Sequence, residues 1–165
     1  MAHSRIFQVS ILPIEADDYA QSSDFYDNSG DFADYIGDEV EGDDRKEDID
    51  NLAHKLIDLF TLDEPGGDTL TYRGEDAMEA FKQRWADAIK VKAEKVTADN
   101  ILEWSPRYDV KTVCEEAALN TSYRFKIEDW DGDYADTPAE LVCYVASNMK
   151  KGDKLYVGAV IDYHY

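Results

Sequence analysis

Leu155-Tyr156-Val157-Gly158-Ala159-Val160-Ile161-Asp162-Tyr163 is the stretch that sets the fold class. Leu155, Val157, Ala159, Ile161 and Tyr163 recur at every second position, the period of a strand with one buried face. Just upstream, Thr137-Pro138-Ala139-Glu140 reads as a helix start: a hydroxyl cap, proline at the first position and glutamate at the third. Leu141, Val142, Val145 and Met149 supply that helix with an apolar face. Lys150, Lys151 and Gly152 suit its C-terminus.

Working further back, Tyr123, Phe125 and Ile127 alternate with Arg124 and Lys126 as a half-buried strand requires. At the other end of the chain, Arg5–Leu12 places Phe7, Val9 and Ile11 on one side and Gln8 and Ser10 on the other. Between these strands lie amphipathic segments. Asp44 with Glu47 forms a capping-box pattern ahead of a stripe of Ile49, Leu52, Leu56, Ile57 and Phe60. Pro65-Gly66-Gly67 ends that unit, and residues 68–73 read as a short extended segment. Residues 75–96 form a second helix with Met78, Phe81, Trp85, Ala88, Ile89 and Lys92 along one face, although residues 90–96 also alternate like a strand. A third helical region covers residues 97–104 and resumes at about 110–119 after Ser105-Pro106. The expectation is one α+β domain over residues 1–165: a small, mostly antiparallel sheet of three or four strands packed against three or four helices.

Charge is the second informative feature. The 165 residues carry 37 acids against 17 bases, a formal net charge of −20. With 44% hydrophobic residues, the chain is too apolar for a wholly disordered acidic polymer. Such a charge disfavours direct nucleic-acid or anionic-membrane binding, both of which need a positive footprint. It suits basic partners, metal cations or plain solubility. No stretch approaches the ~18 apolar residues of a membrane span, and no leader sequence is recognisable, so a cytoplasmic location is expected. Cys114 and Cys143 are widely spaced and read as reduced, buried thiols.

The acid is concentrated. Residues 15–50 hold 15 acidic side chains and only Arg45 and Lys46 as bases. Tyr19, Phe25, Tyr26, Phe32, Tyr35, Ile36 and Val40 interleave with the acids, which a merely solvated tail would not need. The spacing of Phe32, Tyr35 and Ile36 predicts a helical turn tacked onto the core. Carboxylates held by such anchors can imitate the phosphates of duplex DNA, which present one charge per ~1.7 Å of axis. The array comprises Asp17, Asp18, Asp24, Asp27, Asp31, Asp34, Asp38, Glu39, Glu41, Asp43, Asp44, Glu47 and Asp48.

Other chemistry finds less support. His3, His54 and His164 form no recognisable nucleophile arrangement, and GxSxG, HExxH and P-loop patterns are missing, so no enzymatic activity is expected and no cofactor is called for. The alternative is a calcium-binding or acidic interaction module. Asp129, Asp131, Asp133 and Glu140 fall at positions 1, 3, 5 and 12 of a calcium-type loop, yet Tyr134 stands where that loop needs glycine. An Asp/Gly turn between strand and helix accounts better for the segment, so the loop is expected to hold no calcium at physiological concentration.

Size, charge, the aromatic-laced acidic stretch and the missing catalytic motif resemble the small acidic inhibitors carried by phages and mobile elements. These are the anti-restriction proteins of the ArdA kind and the anti-CRISPR proteins, several of which imitate DNA. The resemblance implies a bacterial host cell and a basic nucleic-acid-binding target, such as a Cas9-type effector or a restriction enzyme. It also implies inhibition by blocking access, without chemistry.

Overall fold

The computed structural model describes residues 2–117, 122–130 and 135–165, the side chains of 27–31 excepted. Its first strand, β1, spans His3–Ser10 and its last, β6, Lys154–His164. They pair antiparallel over most of their length. β2 is Tyr35–Glu39, β3 Phe60–Leu62, β4 Thr69–Tyr72 and β5 Arg124–Ile127. The sheet runs β3-β4-β6-β1-β5, with β2 also pairing β6. The fold is α+β as expected, but these six strands exceed the three or four anticipated. The sheet is also mixed, because β5 lies parallel to β1 while the other pairings are antiparallel.

Two of the additional strands come from segments read otherwise. Phe60, placed on a helix by its spacing, starts β3 and forms a hairpin with β4 around Pro65-Gly66-Gly67. Tyr35 and Ile36, expected on a helical turn, belong to β2, where Tyr35 is exposed and Ile36 buried. Both segments are too short to show whether their period is 2 or 3.6, and pairing with β4 and β6 decides the conformation.

Four α-helices occur among the described residues: α1 Gly42–Lys55, α2 Glu75–Ala93, α3 Trp104–Ala117 and α4 Pro138–Asn148. α1 starts earlier than the Asp44 capping box implied. Its N-cap is Glu41, which makes no side-chain cap bond, and Asp43 and Asp44 occupy the first turn, where negative charge favours the helix dipole. α2 stays helical to Ala93, so the strand alternative for 90–96 does not arise. α3 begins before Pro106 and runs through it, because the first turn has no need of the missing N–H. α4 carries the expected cap in full: the Thr137 hydroxyl accepts from Glu140 N–H, and the Glu140 carboxylate accepts from the Thr137 backbone. No helix among the described residues is long and apolar enough to cross a membrane.

The main core joins Phe7, Val9, Phe125, Ile127, Leu155, Val157 and Val160 to Ile49, Leu52 and Leu56, to Met78 and Phe81, and to Leu141, Tyr144 and Val145. Ile57, assigned to the buried stripe, is exposed. A second, smaller core joins Ile6, Ala159, Ile161 and Tyr163 to Ala20, Phe25 and Ile36 of the acidic segment. β6 therefore does not keep one apolar face. Leu155, Val157 and Val160 belong to the main core, whereas Ala159, Ile161 and Tyr163 belong to the second. The cause is a β-bulge: Phe7 pairs Val160 but Val9 pairs Val157, so β6 has an extra residue opposite Gln8. One inserted residue reverses the facing of every later side chain.

Gly158 sits in that bulge, where an added Cβ would lie 2.5 Å from Gln8 Oε1 and 3.0 Å from Ile14 Cδ1. Gly158→Ala is expected to destabilise the fold by about 2 kcal/mol or more, the usual cost of overpacking a filled site. Urea unfolding should show a lower midpoint with an unchanged slope.

Candidate functional site

The acidic segment is held to the sheet by polar as well as apolar contacts. Gln8, buried in β1, uses all of its amide. Its Oε1 accepts from Ala20 N at 2.9 Å and from Ala159 N in the bulge at 3.0 Å. Its Nε2 donates to the Asp18 carbonyl at 3.0 Å and to Glu128 at 2.6 Å. Arg45 of α1 also ties the bulge to the acidic segment. It donates to the carbonyls of Val157 (2.8 Å) and Gly158 (2.7 Å), bonds the Tyr19 hydroxyl, and lies 5.4 Å from the Tyr19 ring centroid. Arg5 of β1 binds Asp48 of α1 and Asp162 of β6. Burial alone would lower the pKa of Arg5, but the hydrogen bond and charge of Asp48, then the charge of Asp162, raise it overall.

Around these anchors the chain makes a 3-10 turn at Ala16–Asp18 and a longer 3-10 segment at Ser22–Asp31, then enters β2. Phe25 and Ile36 are buried, while Tyr19 and Phe32 are half-buried against the second core. Tyr26 and Tyr35, each 58% exposed, are not buried anchors, although both belong to the aromatic series read from the sequence. Glu39 closes the segment on itself: its Oε1 accepts from the Ser22 backbone N–H at 2.6 Å and from the Ser22 hydroxyl at 2.9 Å. These bonds hold the Glu39 carboxyl below its usual range, the backbone N–H of Ser22 contributing most.

The thirteen carboxylates proposed as an array therefore divide by use. Asp48 is committed to Arg5, Glu39 to Ser22, Asp24 to the Gln21 N–H and Asp43 to Lys46. Asp17, Asp18, Asp34, Asp38, Glu41, Asp44 and Glu47 are exposed, and among the described residues no cation pairs with them. The side chains of Asp27 and Asp31 lie outside the described residues. Two distant parts of the segment meet at one surface groove of about 900 Å³, lined by Asp17, Tyr19 and Gln21 from one part and by Glu39, Glu41 and Arg45 from the other. Folding thus gathers onto one surface acids that the sequence spreads over more than twenty positions.

The calcium-type loop is a different case. Asp131 and Asp133 lie outside the described residues, and Glu140 spends its carboxylate on the Thr137 cap. Asp129 is exposed at the end of β5. Cys114 and Cys143 are unpaired but exposed, not buried, because each sits on an outward face of its helix.

Sequence reasoning missed the roles of Gln8, Arg5 and Arg45. The available signals were a glutamine in a strand buried on both faces and a lone glycine inside β6, which marks a bulge. No family model, curated protein or solved structure was found to match the chain.

Because the folded-state pKa of Glu39 is depressed, its stabilising contribution is complete above the unfolded value near 4.5. It is lost as the pH falls through the lower, folded value. The melting-temperature difference between the wild-type protein and Glu39→Gln is expected to be constant above about pH 5.5 and to shrink toward pH 3. A difference that holds unchanged to pH 3 would show that the ionised carboxylate is not what ties Ser22 to β2.

Proposed function

We propose that this protein inhibits a bacterial nucleic-acid-binding enzyme by presenting its acidic segment to the enzyme's basic groove in place of DNA. The observation that carries the reading is the set of exposed carboxylates Asp17, Asp18, Asp34, Asp38, Glu41, Asp44 and Glu47, which no cation pairs among the described residues, on a segment pinned by buried contacts. A flexible acidic tail would lose conformational entropy on docking, whereas carboxylates already fixed on strand, 3-10 turn and helix lose little. Without their own counter-cations, they are also free to take those of a partner. Targets of the Cas9 or restriction-enzyme type offer positively charged channels of the kind this surface suits. The mechanism is occlusion in the host cytoplasm, with no catalytic step and no direct contact with nucleic acid.

Two quantitative consequences follow from the electrostatics. Opposite fields steer encounter, so association should be fast at low salt and slow steeply as screening rises. Rim charges act collectively, so single neutralisations should change affinity only a few-fold. The combined variant Asp38→Asn, Glu41→Gln, Asp43→Asn, Asp44→Asn and Glu47→Gln should weaken target binding at least about a hundredfold at physiological salt. Its melting temperature should change by no more than a few degrees, because relieved self-repulsion offsets the lost helix-dipole and Asp43–Lys46 contributions in the first turn of α1. The test begins with capture from bacterial lysate on the immobilised protein and identification of bound chains by mass. The captured enzyme is then assayed for DNA binding and activity against both forms. Displacement by duplex DNA together with loss of inhibition in the variant supports the proposal. Equal inhibition by the variant at physiological salt refutes it.

A further inference from the structure

We infer that His3, Asp162 and His164 form a binding site for a borderline divalent transition ion of the Zn²⁺ class. His3 is far in sequence from Asp162 and His164 but meets them where β1 begins and β6 ends. Ala2 and Tyr165 exchange both backbone hydrogen bonds, which makes the next facing pair, His3 and His164, a non-hydrogen-bonded pair whose side chains approach closely. The imidazole centroids are 3.8 Å apart. Asp162, two residues before His164 and so on the same face of β6, brings its carboxylate to both rings. His3 Nδ1 lies 3.1 Å and His164 Nε2 3.5 Å from Asp162 Oδ2, and one ligand atom from each residue falls within 4.8 Å of the others.

Those separations fit a shared ion. Ligand atoms each about 2.0–2.1 Å from a tetrahedral Zn²⁺ stand roughly 3.3 Å from one another. As a hydrogen bond, the 3.5 Å contact of His164 is poor. Its Nδ1 is buried and has no partner among the described residues, where His164 thus has a well-made hydrogen bond at neither ring nitrogen. Two further features suit a ligand set. Arg5 binds Asp162 Oδ1 and orients the carboxylate, as outer hydrogen bonds to metal ligands do, leaving Oδ2 available. Gly37 of β2 keeps space open beside Oδ2, since a Cβ there would stand 2.9 Å from it. The His₂Asp donor set favours zinc, cobalt or nickel over calcium or magnesium, which prefer all-oxygen shells. The remaining coordination positions would be taken by water. His3, with its side chain 58% exposed, provides the open side for entry.

The test uses the full chain at pH 7.5 in a non-chelating phosphine reductant, stripped of metal and titrated calorimetrically with Zn²⁺, with Mg²⁺ as control. Saturable binding of one Zn²⁺ per chain is expected, with a rise in melting temperature that Mg²⁺ does not reproduce. His3→Gln and His164→Gln should each weaken Zn²⁺ binding at least about tenfold. His3 is exposed and makes no core contact, so His3→Gln keeps the fold, and the melting temperature of each metal-free variant checks this directly. Co²⁺ should give visible absorption bands that both variants lose. Absence of saturable Zn²⁺ binding overturns the inference. So does equal affinity in wild type and His3→Gln, which would assign the ion to the surface carboxylates or thiols.

Discussion

A strand that gains one residue partway along must leave backbone groups without ladder partners, and buried orphans of this kind cost about 1–3 kcal/mol each. The bulge of β6 meets that cost with two long polar side chains, one from β1 and one from α1. Gln8 takes the Ala159 N–H, and Arg45 takes the carbonyls of Val157 and Gly158. Because Gln8 also binds Ala20 N and the Asp18 carbonyl, and Arg45 also binds Tyr19, both residues fasten the acidic segment as they repair the strand. The change of facing created by the bulge turns Ala159, Ile161 and Tyr163 toward Phe25 and Ile36. A regular β6 would have left that face without its apolar lining, and residues 15–36 without a surface on which to settle.

This arrangement reconciles a charge of −20 with a packed core. The second core is small and needs only a few apolar side chains from the acidic segment, so the positions between them are free to be acidic. Self-repulsion among these carboxylates is an unfavourable term that anchoring must offset. Arg5 and Arg45 are two of the few cations positioned where they act on both sheet and acidic segment. Each is half-buried and multiply bonded, the setting in which an arginine contributes far more than a surface pair.

The C-terminal part of the chain was legible because its signals are redundant. Thr137, Pro138 and Glu140 specify one helix start in three independent ways, and Tyr123 to Ile127 alternates without interruption. β6 was recognisable as a strand, but the bulge was not, since Leu155, Val157, Ala159, Ile161 and Tyr163 read as one face until pairing with β1 reveals the extra residue. β2 and β3 were missed because Tyr35–Glu39 has Ile36 as its one large buried side chain and Phe60–Leu62 is only three residues long, so neither displays a period and both owe their conformation to their neighbours. Of the candidate site, the acidic residues and their apolar companions stand plainly in the sequence. Which acids are free and which are bound internally depends on contacts such as Asp48 with Arg5 and Glu39 with Ser22, formed across 43 and 17 positions. The meeting of His3 with Asp162 and His164 spans even more of the chain.

β6 pairs with β1, β2 and β4 yet follows all of them in sequence. During synthesis on the ribosome, β1, the acidic segment and the β3–β4 hairpin therefore emerge before the strand that unites them. Until residues 154–164 leave the exit tunnel, neither core has its central layer, and folding must wait for contacts between β1 and β6. Such non-local closure is the slow kind. In the interval the high negative charge acts as a solubilising device, keeping incomplete chains apart while their apolar strands are still uncovered. The same carboxylates that we propose the folded protein presents to a basic partner would thus also protect its nascent form from aggregation.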